Sequence, residues 1–215
     1  MVRLLILMLF LAVNGFAKPI TCTFKLSLPS QQDSFQLEVF KCYLSNFRLY
    51  SQSNELIFTD TNAFLIELSD SVLTHTITID CPVNVTPKTI VYSIGLDSVS
   101  NTSGALSGAL DPLYGMFWTW QSGYIHLKLE GKFVKTSSPK TALEFHLGGY
   151  RWPNATLIDK QVDIKSDKII VDIQLNEFLK YLNKGVSTKI MSPGPLAKQV
   201  FNTFSNSFVP MQPCN

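Results

Sequence analysis

The residues able to do chemistry crowd into one stretch, Leu110 to Tyr150. It reads Leu110-Asp-Pro-Leu-Tyr-Gly-Met-Phe-Trp118-Thr-Trp120-Gln-Ser-Gly-Tyr124-Ile-His126-Leu-Lys-Leu-Glu-Gly131 and, after a polar turn, Ala142-Leu-Glu-Phe-His146-Leu-Gly-Gly. Two of the three tryptophans and two of the three histidines lie here. Strand parity puts Ile125, Leu127 and Leu129 on one face and Tyr124, His126, Lys128 and Glu130 on the other. In the following segment Leu143, Phe145 and Leu147 form the apolar face, so His146 points the other way with Glu144. A hairpin whose turn is centred near Thr136 sets His126 and His146 across from each other, away from the apolar core. Directly opposed residues place their Cβ atoms about 4.5–5.5 Å apart, close enough for two ring nitrogens to reach one metal ion. Trp118 and Trp120 share the parity of His126. A slip of one residue would send one imidazole to the opposite face, and two histidines on a polar strand face are equally an ordinary surface pair. His75 alternates with Ile77 and Ile79, which reads as a satisfied core histidine.

The elements that must position these groups are strands. Alternation of period two runs through Ile20, Cys22, Phe24, Leu26 and Leu28, through Phe35, Leu37 and Val39, and through Tyr43, Ser45, Phe47 and Leu49. It continues through Phe64, Ile66 and Leu68, through Thr74–Cys81 and through Thr89–Leu96. Later strands are expected at Gly123–Glu130, Thr141–Gly148 and Ile169–Leu175. Pro29, Pro82, Pro87, the stretch from Asn101 to Gly108 and Ser137–Ser138–Pro139 punctuate them. Many short strands with regular turns predict a mostly β fold, an antiparallel β-sandwich with a short C-terminal helical segment. Asn176 is expected to open a helical turn through Phe178, Leu179 and Leu182, closed by Gly185. Pro193–Gly194–Pro195 opens a second helix with Leu196, Val200, Phe204 and Phe208 four apart. No repeat or linker divides the chain, which predicts a single domain over residues 18–215.

The first residues carry a targeting pattern. Arg3 precedes an apolar run, Leu4 to Val13, and small residues stand at Gly15 and Ala17, the plan of a secretory signal. Residues 1–17 are therefore expected to be a signal peptide cleaved before Lys18. No later segment reaches the ~18 consecutive apolar residues of a spanning helix, so the mature chain is expected in solution, in the periplasm or secreted. Cys22, Cys42, Cys81 and Cys214 are an even number in an exported chain, which suggests disulfides. Three pairings are open, the preferred one being Cys42–Cys81 with Cys22–Cys214.

Charged residues are 16% and the net charge is +2, which gives no electrostatic footprint for nucleic acid. Enzyme signatures are missing: no Gly-x-Ser-x-Gly turn, no phosphate loop, no His-x-x-x-His zinc pair and no paired carboxylates to nominate for glycoside hydrolysis. A binding protein is the expectation. One form of it is an interaction module that docks a glycan or a protein through an exposed aromatic patch of Tyr114, Phe117, Trp118, Trp120 and Tyr124.

The run Leu110-Asp-Pro … Gly115-Met116-x-Trp118-x-Trp120-Gln-x-Gly-Tyr124 … Lys128-Leu-Glu-Gly131, followed by Phe145-His146-Leu-Gly148, resembles the methanobactin-associated periplasmic protein (MbnP-like) family. Tyr43-Leu-Ser45-Asn46-Phe-Arg-Leu and Ile190-Met191-Ser-Pro-Gly-Pro are similar to its early strand and its C-terminal segment. The resemblance implies an exported protein linked to copper, Cu(I) favoured, and associated with a di-haem, MauG-like peroxidase that oxidises a tryptophan to kynurenine. It implies His146 as a metal ligand and Trp118 or Trp120 as the oxidised residue. Met191 is a thioether donor or ordinary packing. His126 departs from the family, where an apolar residue is common, and joins the ligand set on geometry. Tyr124 and Gln121 are expected to orient the ligands.

Overall fold

The computed structural model describes residues 18–29, 35–82, 86–119, 121–133, 141–182 and 187–211. From the N-terminus the strands are β1 (Lys18–Ser27), β2 (Phe35–Tyr50), β3 (Leu56–Asp60), β4 (Phe64–Leu68), β5 (Thr74–Cys81) and β6 (Thr89–Ile94). A short helix, α1 (Ser98–Thr102), precedes β7 (Phe117–Thr119), β8 (Gly123–Tyr124), β9 (Leu127–Phe133), β10 (Thr141–Leu147), β11 (Ile158–Asp163) and β12 (Lys168–Gln174). The last elements are α2 (Leu175–Leu182), β13 (Lys189–Ile190), α3 (Pro195–Ser205) and β14 (Phe208–Met211).

One sheet has four strands in the order β14-β12-β1-β5, and the other is built on β11-β6-β2-β9-β10-β13. The sixteen-residue β2 is the spine of the larger sheet. One of its edges pairs first with β9 and then with β6, and the other pairs first with β4 and then with β3. The changeover on the first edge falls at Tyr43, and further along, at Ser45–Arg48, the β2–β6 register shifts and Asn46 takes a positive φ of 52°. Asparagine is among the few side chains that tolerate this left-handed region.

Alternation explains the layers. Ile20, Cys22, Phe24 and Leu26 of β1 are buried, whereas Thr21 and Thr23 face outward and Lys25 is exposed. Phe24 meets Tyr92 of the opposite sheet edge-to-face at 5.5 Å and Phe208 at 6.4 Å. The two helices close the interior further along, with Phe204 against Phe40, Phe178, Phe201 and Phe208 and Phe178 against Phe145. In α3 the buried stripe is Ala197, Val200, Phe201 and Phe204. Leu196, expected in that stripe, is exposed, and Phe208 lies beyond the helix in β14.

The mostly β fold with a helical C-terminal part is as the sequence predicts, with two differences in detail. β1 pairs parallel with β12, and β10 parallel with β13, so neither sheet is purely antiparallel. Phe35–Leu49 forms one continuous strand where the alternation read as two. No helix among the described residues is long and apolar enough to cross a membrane. Residues 1–17 lie outside the described residues.

Candidate functional site

β9 and β10 are neighbouring antiparallel strands, as expected, but their register differs by two residues from the one predicted. His146 stands opposite Lys128, and Leu147 opposite Leu127. The two imidazoles therefore do not face each other. His126 sits one residue before β9, where its amide donates to Leu147 O at 2.7 Å and its carbonyl accepts from Tyr43 N at 3.0 Å.

The His126 side chain is fully buried. Its Nδ1 lies 2.9 Å from Thr156 O and 2.8 Å from Thr156 Oγ1, and its Nε2 lies 3.1 Å from Asn101 Nδ2. The arrangement fits a neutral ring with Nδ1–H donating to the Thr156 carbonyl and Nε2 accepting from the amide. Asn101 Oδ1 in turn accepts from Tyr124 N at 2.9 Å. Burial pushes the His126 pKa down to about 4, against the Thr156 hydrogen bond and the Asp97 charge, which raise it. Gly95, at φ 101°, permits this junction, because a Cβ there would collide with Thr156 O and stand 3.0 Å from His126 Nδ1. Both nitrogens are engaged by protein atoms, so His126 acts as a structural pin here, and the opposed pair of imidazoles expected from the sequence is not formed.

His146 is on the outer face of β10, with a side chain 13% exposed. Its Nε2 meets Glu130 Oε1 at 2.6 Å, and Lys128 Nζ stands 3.6 Å from the same oxygen. Partial burial works against the charge of Glu130, but the His146 and Lys128 contacts prevail and hold its carboxyl below the ordinary value. Glu130 is diagonal to His146 across the ladder, a position within reach of long side chains. Sequence reasoning placed Glu130 on this face but missed it as a partner, because the assumed register set His146 opposite His126. Glu144 pairs with Lys189 and Phe145 with Ile190 in the parallel β10–β13 ladder. The ladder ends there, and Met191 is the next residue of the chain. Ile190 is buried and Met191 is 41% exposed, so Met191 shares the outer face with Lys189 and His146. The Trp118 ring lies against Gly148, two residues beyond His146: a Cβ on Gly148 would come within 2.9 Å of Trp118 Cζ3.

The remaining candidates are dispersed. Tyr124 is buried, and its hydroxyl sits 3.0 Å from Leu106 N, 3.1 Å from Gly104 O and 2.9 Å from Leu110 O. It ties down the 104–110 segment. Gln121 is exposed, and its carbonyl accepts from Tyr150 Oη at 3.2 Å. Trp120 lies outside the described residues. The aromatic patch does not form one exposed surface: Tyr124 packs on Tyr43 and Phe117, Trp118 is half-buried against the same small core of Met116, Leu96 and Ile125, and Tyr114 is exposed. His75 is half-buried, on the inward-facing parity of β5 with Ile77 and Ile79.

The Cys42–Cys81 bridge is not formed: Cys22, Cys42 and Cys81 are free and buried. Cys42 is midway along β2, its Sγ 3.6 Å from Tyr43 O, whereas Cys81 ends β5 beside Lys18 with its Sγ 3.6 Å from Pro82 O. They face inward from different sheets. The partner expected for Cys22 is Cys214, which lies outside the described residues. Burial raises the Cys22 pKa to about 12 and that of Cys42 further.

Among the described residues no three His, Cys, Asp or Glu side chains gather to hold a metal. The face around His146 offers instead an imidazole, the thioether of Met191 and the Glu130 carboxylate. Borderline nitrogen and soft sulfur donors of this kind suit copper better than the hard, oxygen-seeking cations.

No curated protein matches the chain. Among solved structures, MbnP from Methylosinus trichosporium has a similar fold, with a TM-score of 0.55 at 14% identity over 76% of this chain and 78% of that one. The MbnP family model matches residues 9–192, most of the sequence and all of the strands that build the His146 face, and on that match the chain belongs to the MbnP family.

Proposed function

We propose that the chain is an exported copper-binding protein of the periplasm or the secreted fraction, acting in copper homeostasis or uptake and not as an enzyme. His146 and Met191 would hold Cu(I). Glu130, by accepting the Nε2 proton of His146, leaves Nδ1 as the nitrogen available to the metal, as outer carboxylates do in metal sites generally. The observation that carries the reading is that one face of β10 and its neighbours presents His146, Met191 and Glu130 with the Trp118 ring two residues away.

Membership of the MbnP family supports the reading, and so does the Trp-x-Trp-Gln-x-Gly-Tyr block. Trp118, whose ring lies against Gly148 two residues beyond His146, and Trp120 are the candidates for oxidation to kynurenine by a di-haem, MauG-like peroxidase. Opening the indole creates an aromatic amine beside a carbonyl, a further donor at the same place. The proposed signal peptide, residues 1–17, puts the chain where such an oxidase and extracellular copper are met.

The test is metal analysis with peptide mapping of protein purified from its own host. Copper near one equivalent per chain is expected, with a kynurenine mass increment on the peptide bearing Trp118. His146→Ala and Met191→Leu should each weaken Cu(I) binding by at least ~10-fold, a loss seen even for outer-shell changes at metal sites, without altering urea unfolding. Wild-type Cu(I) affinity in His146→Ala would refute the assignment.

A further inference from the structure

Outside the Trp118 block a further aromatic is exposed: Trp152, at 88%, against 43% for Tyr114. This tryptophan borders a cleft of about 330 Å³ lined by Gln121, Ser122, Tyr150, Arg151, Trp152 and Asn154 and closed by Gly149, Pro193 and Gly194. Sites for small molecules begin at about this size, ~300 Å³.

The cleft contains a fixed cation. Arg151 Nε donates to Tyr150 Oη at 3.2 Å, and the guanidinium carbon stands 5.3 Å from the Tyr150 ring centre. That hydroxyl donates to Gln121 O at 3.2 Å, so the tyrosine is itself held. Among the described residues no carboxylate lies within ion-pair distance of Arg151. The ring and the Nε bond orient the guanidinium from two sides and leave its two terminal nitrogens for another partner. A planar fork of this kind matches the two oxygens of a carboxylate.

We infer that this cleft binds an acidic sugar, a pyranose ring bearing a carboxylate. The Arg151 fork takes the carboxylate. The Trp152 indole offers an apolar face to the ring C–H groups. Asn154, Gln121 and Ser122 supply the donors and acceptors that hydroxyl groups need. A neutral sugar leaves the guanidinium unpaired, and a small anion leaves the indole uncovered; one ligand class satisfies both. The cleft shares none of His146, Met191, Glu130 and Trp118, so the inference stands apart from the copper reading.

The experiment is a calorimetric titration of the mature chain with sodium glucuronate, with glucose and acetate as controls. Saturable glucuronate binding is expected, at least about tenfold tighter than either control, the difference a charge-assisted pair makes. Arg151→Gln should reduce glucuronate to the level of glucose, and Trp152→Ala should weaken both sugars. Both side chains are exposed, so unfolding temperatures should not change. Absence of saturable glucuronate binding, equal binding of glucose or acetate, or wild-type affinity in Trp152→Ala would each overturn the inference. If a variant proves unstable, the comparison of glucuronate with glucose and acetate on the unaltered chain decides.

Discussion

His126 makes the stability of this protein depend on pH in a direction and amount that can be worked out. In the folded chain the ring is buried and neutral, with its pKa lowered from 6.5 to about 4. Unfolding returns it to water, where it takes up a proton near pH 6.5. Between these values the unfolded chain binds more protons than the folded one, so the unfolding free energy falls as the pH falls. The contribution is complete above pH 6.5 and lost below about 4. At ~1.36 kcal/mol per unit, the drop from 6.5 to about 4 corresponds to about 3 kcal/mol. Carboxylates also titrate in this range, so the measurement is a difference. Urea unfolding of the wild type and of His126→Gln, which cannot take up the proton, would be followed from pH 7.5 to 4. The variant is expected to be less stable at neutral pH, because it disturbs the Asn101 and Thr156 contacts. The gap between the two should close by about 3 kcal/mol on acidification. Parallel curves would refute the claim that this imidazole is held neutral in the interior.

Other outcomes test the packing. Gly148→Ala puts a Cβ 2.5 Å from Tyr124 O and 2.9 Å from Trp118 Cζ3; overpacking of this kind costs ~1–3 kcal/mol, readable in urea together with a shift in tryptophan emission. Phe204→Ala removes a ring that meets four other phenylalanines; a loss of ~3–5 kcal/mol is expected, and a loss below 1 kcal/mol would mean the helix does not close the interior as described. Cys22 and Cys42, buried and with raised pKa values, should resist thiol alkylation at pH 8 in the native protein and react in denaturant. Rapid native labelling mapped to either residue would contradict their placement.

Much of this fold is legible in the sequence because a half-buried strand writes its burial as alternation. Ile20, Cys22, Phe24 and Leu26 could be assigned to the interior with no knowledge of what covers them. Pairing across strands is another matter. Alternation fixes the face but leaves shifts of two residues open, since these preserve every side chain's orientation. The β9–β10 ladder differs from the predicted one by such a shift, which separates His126 from His146 and joins His146 to Glu130. The burial of His126 was illegible for a related reason. Its partners, Asn101 of the one-turn helix α1 and Thr156 of a distant loop, stand in segments too short or irregular to carry a period. The four-residue spacing carries Phe208 into the last helix, whereas it opens β14, which accommodates Pro210 by lying at the sheet's edge. Met191 rests on family likeness, since the parallel β10–β13 ladder ends one residue before it.

The four-stranded sheet is assembled from both extremities of the mature chain. β1 lies between β5 and β12, and β12 in turn carries β14 on its far side. Thr21 must wait for Lys168, so one flank of the first strand stays unsatisfied until most of the polypeptide has emerged. Closing so long a loop is entropically costly and slow, and an uncovered strand flank invites pairing with other chains. For the exported protein proposed above, threaded through a membrane before it folds, this delay would be an advantage, because the architecture postpones its own completion until the tail has crossed.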